Sequence, residues 1–176
     1  MGVRWKQDQP ILLLLRVALV EQFPFLTRLG YSTHWSGIGG FVDRTTRSGG
    51  PSAHAEGRAA DIYLSAFEPY EKMLGDGLLR LFGSNLTPLG VDHVIWNRQI
   101  WSAEKGGPRR YENKKNGPHT DHVHVAFTRA GSQKQPPLLS KLVRDLRWQL
   151  DFTLRTRLSG LETVRHGRAE WNSPFD

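Results

Sequence analysis

His54 and Asp61 lie close together in the stretch Ser52-Ala-His-Ala-Glu-Gly-Arg-Ala-Ala-Asp61, and two further imidazoles, His122 and His124, flank one valine in Asp121-His-Val-His124. Imidazole is a borderline ligand and carboxylate a hard one, and together they suit a divalent ion such as zinc that keeps one position open for water. Two ligands do not hold such an ion. The stretch from Asp121 to His124 is the obvious source of a third, because it opens an apolar run ending at Phe127. Side chains alternate along a strand, so His122 and His124 share one face while Val123, Val125 and Phe127 share the other. One face is ready for a metal and the other for a core.

Those residues must be carried by something, and the pattern names the carriers. Strands are expected over Ala59 to Leu64, Val91 to Trp96 and Val123 to Phe127, with a helix over about Phe67 to Phe82 whose Tyr70, Met73, Leu74, Leu78 and Leu81 recur at helical spacing. Ile11 to Gln22 reads as a largely buried helix ended by Pro24. Gly30 to Ser52, rich in glycine, reads as a loop at the rim of a cleft, and Ser102 to His119 as a charged surface loop beside the site. Past the turn at Pro136-Pro137, the residues Leu138, Leu139, Leu142, Val143, Leu146 and Leu150 mark one face of a basic helix, and the chain beyond Gly160 reads as frayed. The expected architecture is α+β, a small antiparallel sheet whose adjacent strands carry the ligands, with helices on its other side. Residues 1–30 are expected to form an N-terminal helical segment packed on the core, 31–135 the unit that carries the candidate ligands and 136–176 a C-terminal basic amphipathic helix and tail.

The motif positions resemble a family of zinc peptidases that groups lysostaphin, D-alanyl-D-alanine carboxypeptidases and the Hedgehog signalling domain. Its pattern Ser-x-His-x-x-Gly-x-Ala-x-Asp is met by Ser52, His54, Gly57, Ala59 and Asp61, and its later His-x-His by His122 and His124. The segments Val91 to Trp101 and Thr120 to Phe127 look closer still to bacterial cell-wall carboxypeptidase-like domains, of the peptidase M15-like kind. The resemblance implies zinc on His54, Asp61 and His124, a base from His122 or Asp121, and a peptide of peptidoglycan as substrate, cut by carboxypeptidase or endopeptidase action. Alternation along the strand favours His122 as base; an acid three residues before the last ligand serves in some members, and Asp121 occupies that place. Ser52, Arg44 and Arg47 are candidates for substrate binding, since an arginine upstream of the first histidine binds carboxylate or steadies an oxyanion in that family.

Composition bounds the remaining readings. The chain has 176 residues, enough for one core with extensions, and no cysteine, so any metal rests on His, Asp and Glu. A net charge of +7 and a pI near 10 suit an anionic polymer. A cell wall fits that charge; a metal-dependent nuclease fits it too, but Ser52 to Asp61 does not open the strand-strand-helix unit that such sites use, and no nucleic-acid partner is expected. A wall-binding module that keeps zinc without catalysis is the other rival. The apolar run Ile11 to Val20 is broken by Arg16 and too short to span a bilayer, and no small-residue cleavage site follows it. Action in the periplasm or cell wall then calls for phage lysis or a specialised secretion route, with an immunity or delivery protein as a candidate partner of the C-terminal helix. His34, His93, His119 and His166 are read as surface or core histidines, with His93 placed to support a ligand. Trp96 and Trp101 are read as core or cleft wall.

Overall fold

The computed structural model describes residues 7–27, 37–46, 49–112 and 117–169, with side chains as far as residue 157. The elements follow in the order α1 (Pro10–Gln22), a 3-10 turn (Pro24–Thr27), β1 (Ile38–Gly39), β2 (Ala59–Tyr63), α2 (Pro69–Gly83), α3 (Leu86–Leu89), β3 (Val91–Trp96), β4 (Gln99–Ser102), β5 (Gly106–Arg110), β6 (His122–Phe127), α4 (Arg129–Ser132) and α5 (Pro137–Ala169). The strands make one sheet in the order β1-β2-β6-β3-β4-β5, antiparallel throughout. This is the expected α+β architecture, with β6 in the middle of the sheet.

Alternation gives the sheet two unlike faces. Ala60, Ile62, Val94, Trp96, Val123, Val125 and Phe127 are all buried on the side covered by helices, where Leu15 and Leu19 of α1, Leu74 and Leu78 of α2, and Val143 of α5 join the same core. Burying an aliphatic or phenyl side chain of this kind contributes about 1.5–3 kcal/mol each. Both α1 and α2 start on a proline, which loses nothing at a position whose N–H has no helical partner. Helix α2 comes unusually close to the sheet: a β-carbon at Gly75 would lie 2.4 Å from the Trp96 ring and one at Gly83 1.7 Å from that of Trp101. Both indoles therefore belong to the core side. The opposite face bears Asp61, Ile95, Ile100, His122 and His124, which line an open cleft. A register shift between Val91 and His93 brings Asp92 as well as His93 to that side.

Three expectations are corrected. The segment Gly30 to Ser52, read as a loop, contains the two-residue strand β1, which pairs with β2. The segment Ser102 to His119 contains β5, paired with β4, and β4 itself follows β3 through a tight turn. Gly106-Gly-Pro-Arg-Arg110 lacks the apolar alternation by which strands are recognised, and Pro108 is tolerated because β5 is an edge strand whose register with β4 shifts at this stretch. Helix α5 also runs past Gly160 and Gly167 to Ala169, since each glycine costs a helix only about 1 kcal/mol. Of its described residues, Leu139, Val143, Leu146 and Leu150 belong to the core. Among the described residues no helix is long and apolar enough to cross a membrane.

The turn between β3 and β4 places Asn97 at φ 43° and Arg98 at φ 65°, both left-handed. Two-residue hairpins of this hand favour Asn-Gly, and Arg98 bears the steric cost of its Cβ. Arg98→Gly is expected to stabilise the fold by up to about 1 kcal/mol, read as a higher urea midpoint at unchanged slope. A midpoint that stays put or falls contradicts strain at this turn.

Candidate metal centre and its cleft

Asp61 and His124 are direct cross-strand partners on β2 and β6, which sets their Cβ atoms about 4.5–5.5 Å apart on one face. The Oδ1 of Asp61 lies 2.8 Å from Nδ1 of His124. His54 reaches the same point from the turn that precedes β2, and its Nε2 lies 3.3 Å from Asp61 Oδ1 and 3.4 Å from His124 Nδ1. Its Nδ1 sits 2.7 Å from the carbonyl oxygen of Gly40. A carbonyl only accepts, so Nδ1 carries the proton and Nε2 offers its lone pair to the cluster.

Three donors therefore converge at edges of 2.8, 3.3 and 3.4 Å. A tetrahedral site with bonds of about 2.0–2.1 Å has ligand-to-ligand edges of roughly 3.3 Å, so the donor set fits a zinc ion with little adjustment. These three are the residues whose ligand atoms the structure gathers into a potential metal-binding group among those described. Two neutral imidazoles and one carboxylate leave a divalent ion with net positive charge, which preserves its power to polarise an oxygen.

Two members of the cluster, Asp61 and His124, have their protonation shifted by these surroundings. Burial alone would raise Asp61, but hydrogen bonds with His124 and His54, and their charge, hold its carboxyl well below the ordinary carboxylate range. Burial is also the largest influence on His124, lowering its pKa from 6.5 to about 4 with help from His54 and His93 and against the pull of Asp61.

The turn bearing His54 is locked from several sides. Ser52 Oγ accepts from the backbone N–H of Ala55 at 3.1 Å, so Ser52 braces the turn while also lining the cleft. Gly57 has φ +64°, and a β-carbon there would lie 2.1 Å from the Gln7 carbonyl oxygen, which is why only glycine fits. Glu56, 2% exposed, accepts from Arg58 and Arg129 at 2.5–3.0 Å, and Arg58 donates on to the Phe127 carbonyl. Burial opposes ionisation of Glu56, yet those two guanidinium groups pull its pKa below the usual value. Gly40, whose carbonyl orients His54, is held by Asp8: the carboxylate accepts from the Phe41 N–H at 2.7 Å and pairs with Arg16 at 2.5 Å.

The cleft above the cluster has a volume of about 910 Å³. His122 stands at its edge with Nε2 3.7 Å from Asp61 Oδ1, and Nδ1 2.8 Å from Asp121 Oδ1. Asp121 is exposed and faces the His122 ring rather than the ligand cluster. Arg44 lines the cleft; Arg47 lies outside the described residues, as do His34, Lys114, Lys115 and the side chain of His166.

A family model described as VldE, C-terminal domain, matches residues 28–124, more than half of the chain and a span that ends on His124. The chain belongs to this VldE C-terminal domain family. No curated protein and no solved structure matches it.

Within the matched span the structure also gives places to His93, read from the sequence as placed to support a ligand, and to His119, read as a surface or core histidine. His93 stacks on His124 at 5.3 Å and 27°, with its Nδ1 3.0 Å from Asp92 Oδ2. Parity along β3 signals this, since His93 and Ile95 face away from Val94 and Trp96. His119, buried, packs its ring 4.6 Å from that of His122 and 5.1 Å from that of Tyr111, and burial, reinforced by His122, lowers its pKa. No local pattern marks it. Arg109, Tyr111 and Glu104 line the cleft from the segment read as a loop.

The depressed pKa of His124 has a pH signature. An unfolded chain takes up this proton near 6.5 and the fold only near 4, so the contribution of neutral His124 to stability is whole above 6.5 and is lost as pH falls from there through 4. Melting temperatures of the metal-free chain, taken from neutral pH down to 4, are expected to fall more steeply in the wild type than in His124→Gln. Parallel slopes would show that His124 does not titrate in this way.

Proposed function

We propose that the chain is a zinc-dependent peptidase that hydrolyses peptide bonds in the stem peptides or cross-links of bacterial peptidoglycan, and so acts at the cell wall or in the periplasm. The observation that carries this reading is the convergence of His54 Nε2, Asp61 Oδ1 and His124 Nδ1 on the floor of a cleft open enough for a peptide. A zinc ion held there would supply Lewis acidity to the scissile carbonyl and lower the pKa of a bound water to about 7.

The chain's own residues do the rest. His122 offers Nε2 to the cleft, while Asp121 accepts from Nδ1 and thereby selects the tautomer whose Nε2 is free to take a proton. That division favours His122 as base and Asp121 as the group that orients it. His93 and His119 wall the ligand cluster and shield it from bulk water, and Arg44 is positioned at the rim to meet a substrate carboxylate.

Zinc content measured beside release of soluble peptides from purified peptidoglycan tests the proposal. His54→Ala and Asp61→Ala are expected to lose both, and His122→Ala to keep zinc while turnover drops on the order of 10²–10⁴-fold. Asp121→Asn should cost less than His122→Ala. A larger loss at Asp121 assigns the base there instead. Zinc and wall binding without any peptide release sinks the peptidase reading in favour of a wall-binding module.

A further inference from the structure

One transverse row crosses the sheet beneath the cleft. Asp61 pairs with His124, His124 with Ile95, Ile95 with Ile100 and Ile100 with Arg109. Direct partners in antiparallel strands share a face, and all five residues line the same cleft. The row therefore runs from the ligand cluster, over a floor of two isoleucines, to a guanidinium at the other side.

That guanidinium is held in place and, among the described residues, lacks an acidic partner. Both terminal nitrogens of Arg109 donate to Ser102 Oγ at 3.2 Å, and one also reaches the Gly106 carbonyl at 3.5 Å. Ser102 is 7% exposed and also accepts from the Lys105 N–H at 3.3 Å, so the anchor is itself fixed. Among the described residues Arg109 forms no ion pair, although Glu104 lines the same end of the cleft. Anchoring on a neutral hydroxyl leaves its full charge, and the remaining N–H donors, for a ligand.

We propose that Arg109 is a specificity-determining residue that binds a carboxylate of the substrate at a set distance from the bond to be cut. Ser102 stands on β4, two strands from β6, so the guanidinium held there lies roughly 10 Å across the sheet from the ligand cluster at about 4.8 Å per strand. An extended peptide advances about 3.3 Å per residue, so the acidic group belongs to a residue about three positions from the scissile bond. Ile95 and Ile100 form an apolar floor for the residues between. The inference rests on the peptidase reading for its scissile bond, but the anion site stands on the geometry of the hairpin alone.

The test uses two synthetic peptides, identical except that the residue three positions from the scissile bond bears a free carboxylate in one and the carboxamide in the other. Binding to the metal-free full chain is measured by calorimetry, and turnover with the zinc-loaded chain. Wild type is expected to favour the carboxylate peptide about 10–100-fold, the range set by hydrogen bonds to a charged group. Arg109→Gln should bring the two peptides level, near the wild-type value for the carboxamide, and Arg109→Lys should restore part of the preference. Equal weakening of both peptides by Arg109→Gln, or no preference in the wild type, overturns the proposal and leaves Arg109 as a brace of its hairpin. Tighter binding of a single-stranded oligonucleotide, lost in the same variant, overturns it in favour of phosphate recognition. A preference in binding that persists where neither peptide is cut upholds the anion site while the peptidase reading fails.

Discussion

The pairing of β2 with β6 is the constraint from which the site follows. Asp61 and His124 meet because they are opposite one another in that ladder, and a slip of one residue would turn Asp61 into the core and bring an apolar neighbour to the cleft. What forbids the slip is the other face. Ile62, Val123, Val125 and Phe127 are buried to 0% exposure, so together, at about 1.5–3 kcal/mol each, they hold the register. Polar groups brought together out of water are costly unless satisfied, and here the apolar layer bears that cost. β6 is also flanked by strands on both sides, which keeps its ladder closed and its imidazoles steady.

His54 is fixed by different means. It lies on a turn, where no ladder sets its position, and the turn is tied instead by long-range polar contacts: Gln9 N–H to the Gly57 carbonyl at 2.8 Å, Glu56 to Arg58 and Arg129, and Arg58 to the end of β6. A buried carboxylate between two guanidinium groups adds little net stability over an apolar replacement. Its effect is geometric, since it joins the turn, β6 and α4 at one point. Helix α1 takes part through Arg16 and the preceding Asp8, which hold the Gly40 segment whose carbonyl orients the His54 ring. A residue 14 positions from its hydrogen-bond partner in sequence thus depends on a helix start still further away.

Much of this was legible in the sequence. The period-2 runs at β2, β3 and β6 and the helical spacing in α1 and α2 mark their elements to within a few residues, because each buries a single face. The three residues that converge, His54, Asp61 and His124, were legible as well, since their types and spacing survive without knowledge of the fold. The β4–β5 hairpin was not. Its glycines, proline and arginines carry no alternation, and its strand character comes from the partner it pairs with. Asp8, Arg129 and His119 were equally hidden: each acts through a partner that is distant in sequence or through a ring contact that only folding makes. Arg109 stands beside Arg110 in the sequence, but its pairing with Ile100, and so its place in the cleft, depends on the hairpin.

Under the proposed function, the distribution of these residues separates chemistry from recognition. Asp61, His122 and His124 sit on strands paired through the sheet's centre, and changes there meet the core on the reverse face. The walls are less constrained. Arg44 to Thr46 lie on loop, and β5 is paired on one side only, where Pro108 and the exposed Arg110 also blunt an edge that would otherwise invite pairing with another chain. Elements with few ladder bonds open at lower free energy than central strands. Substitutions along residues 44–46 and 104–111 can therefore alter what the cleft admits without moving the donors beneath it, whereas the ligand cluster can change only with the register of the sheet.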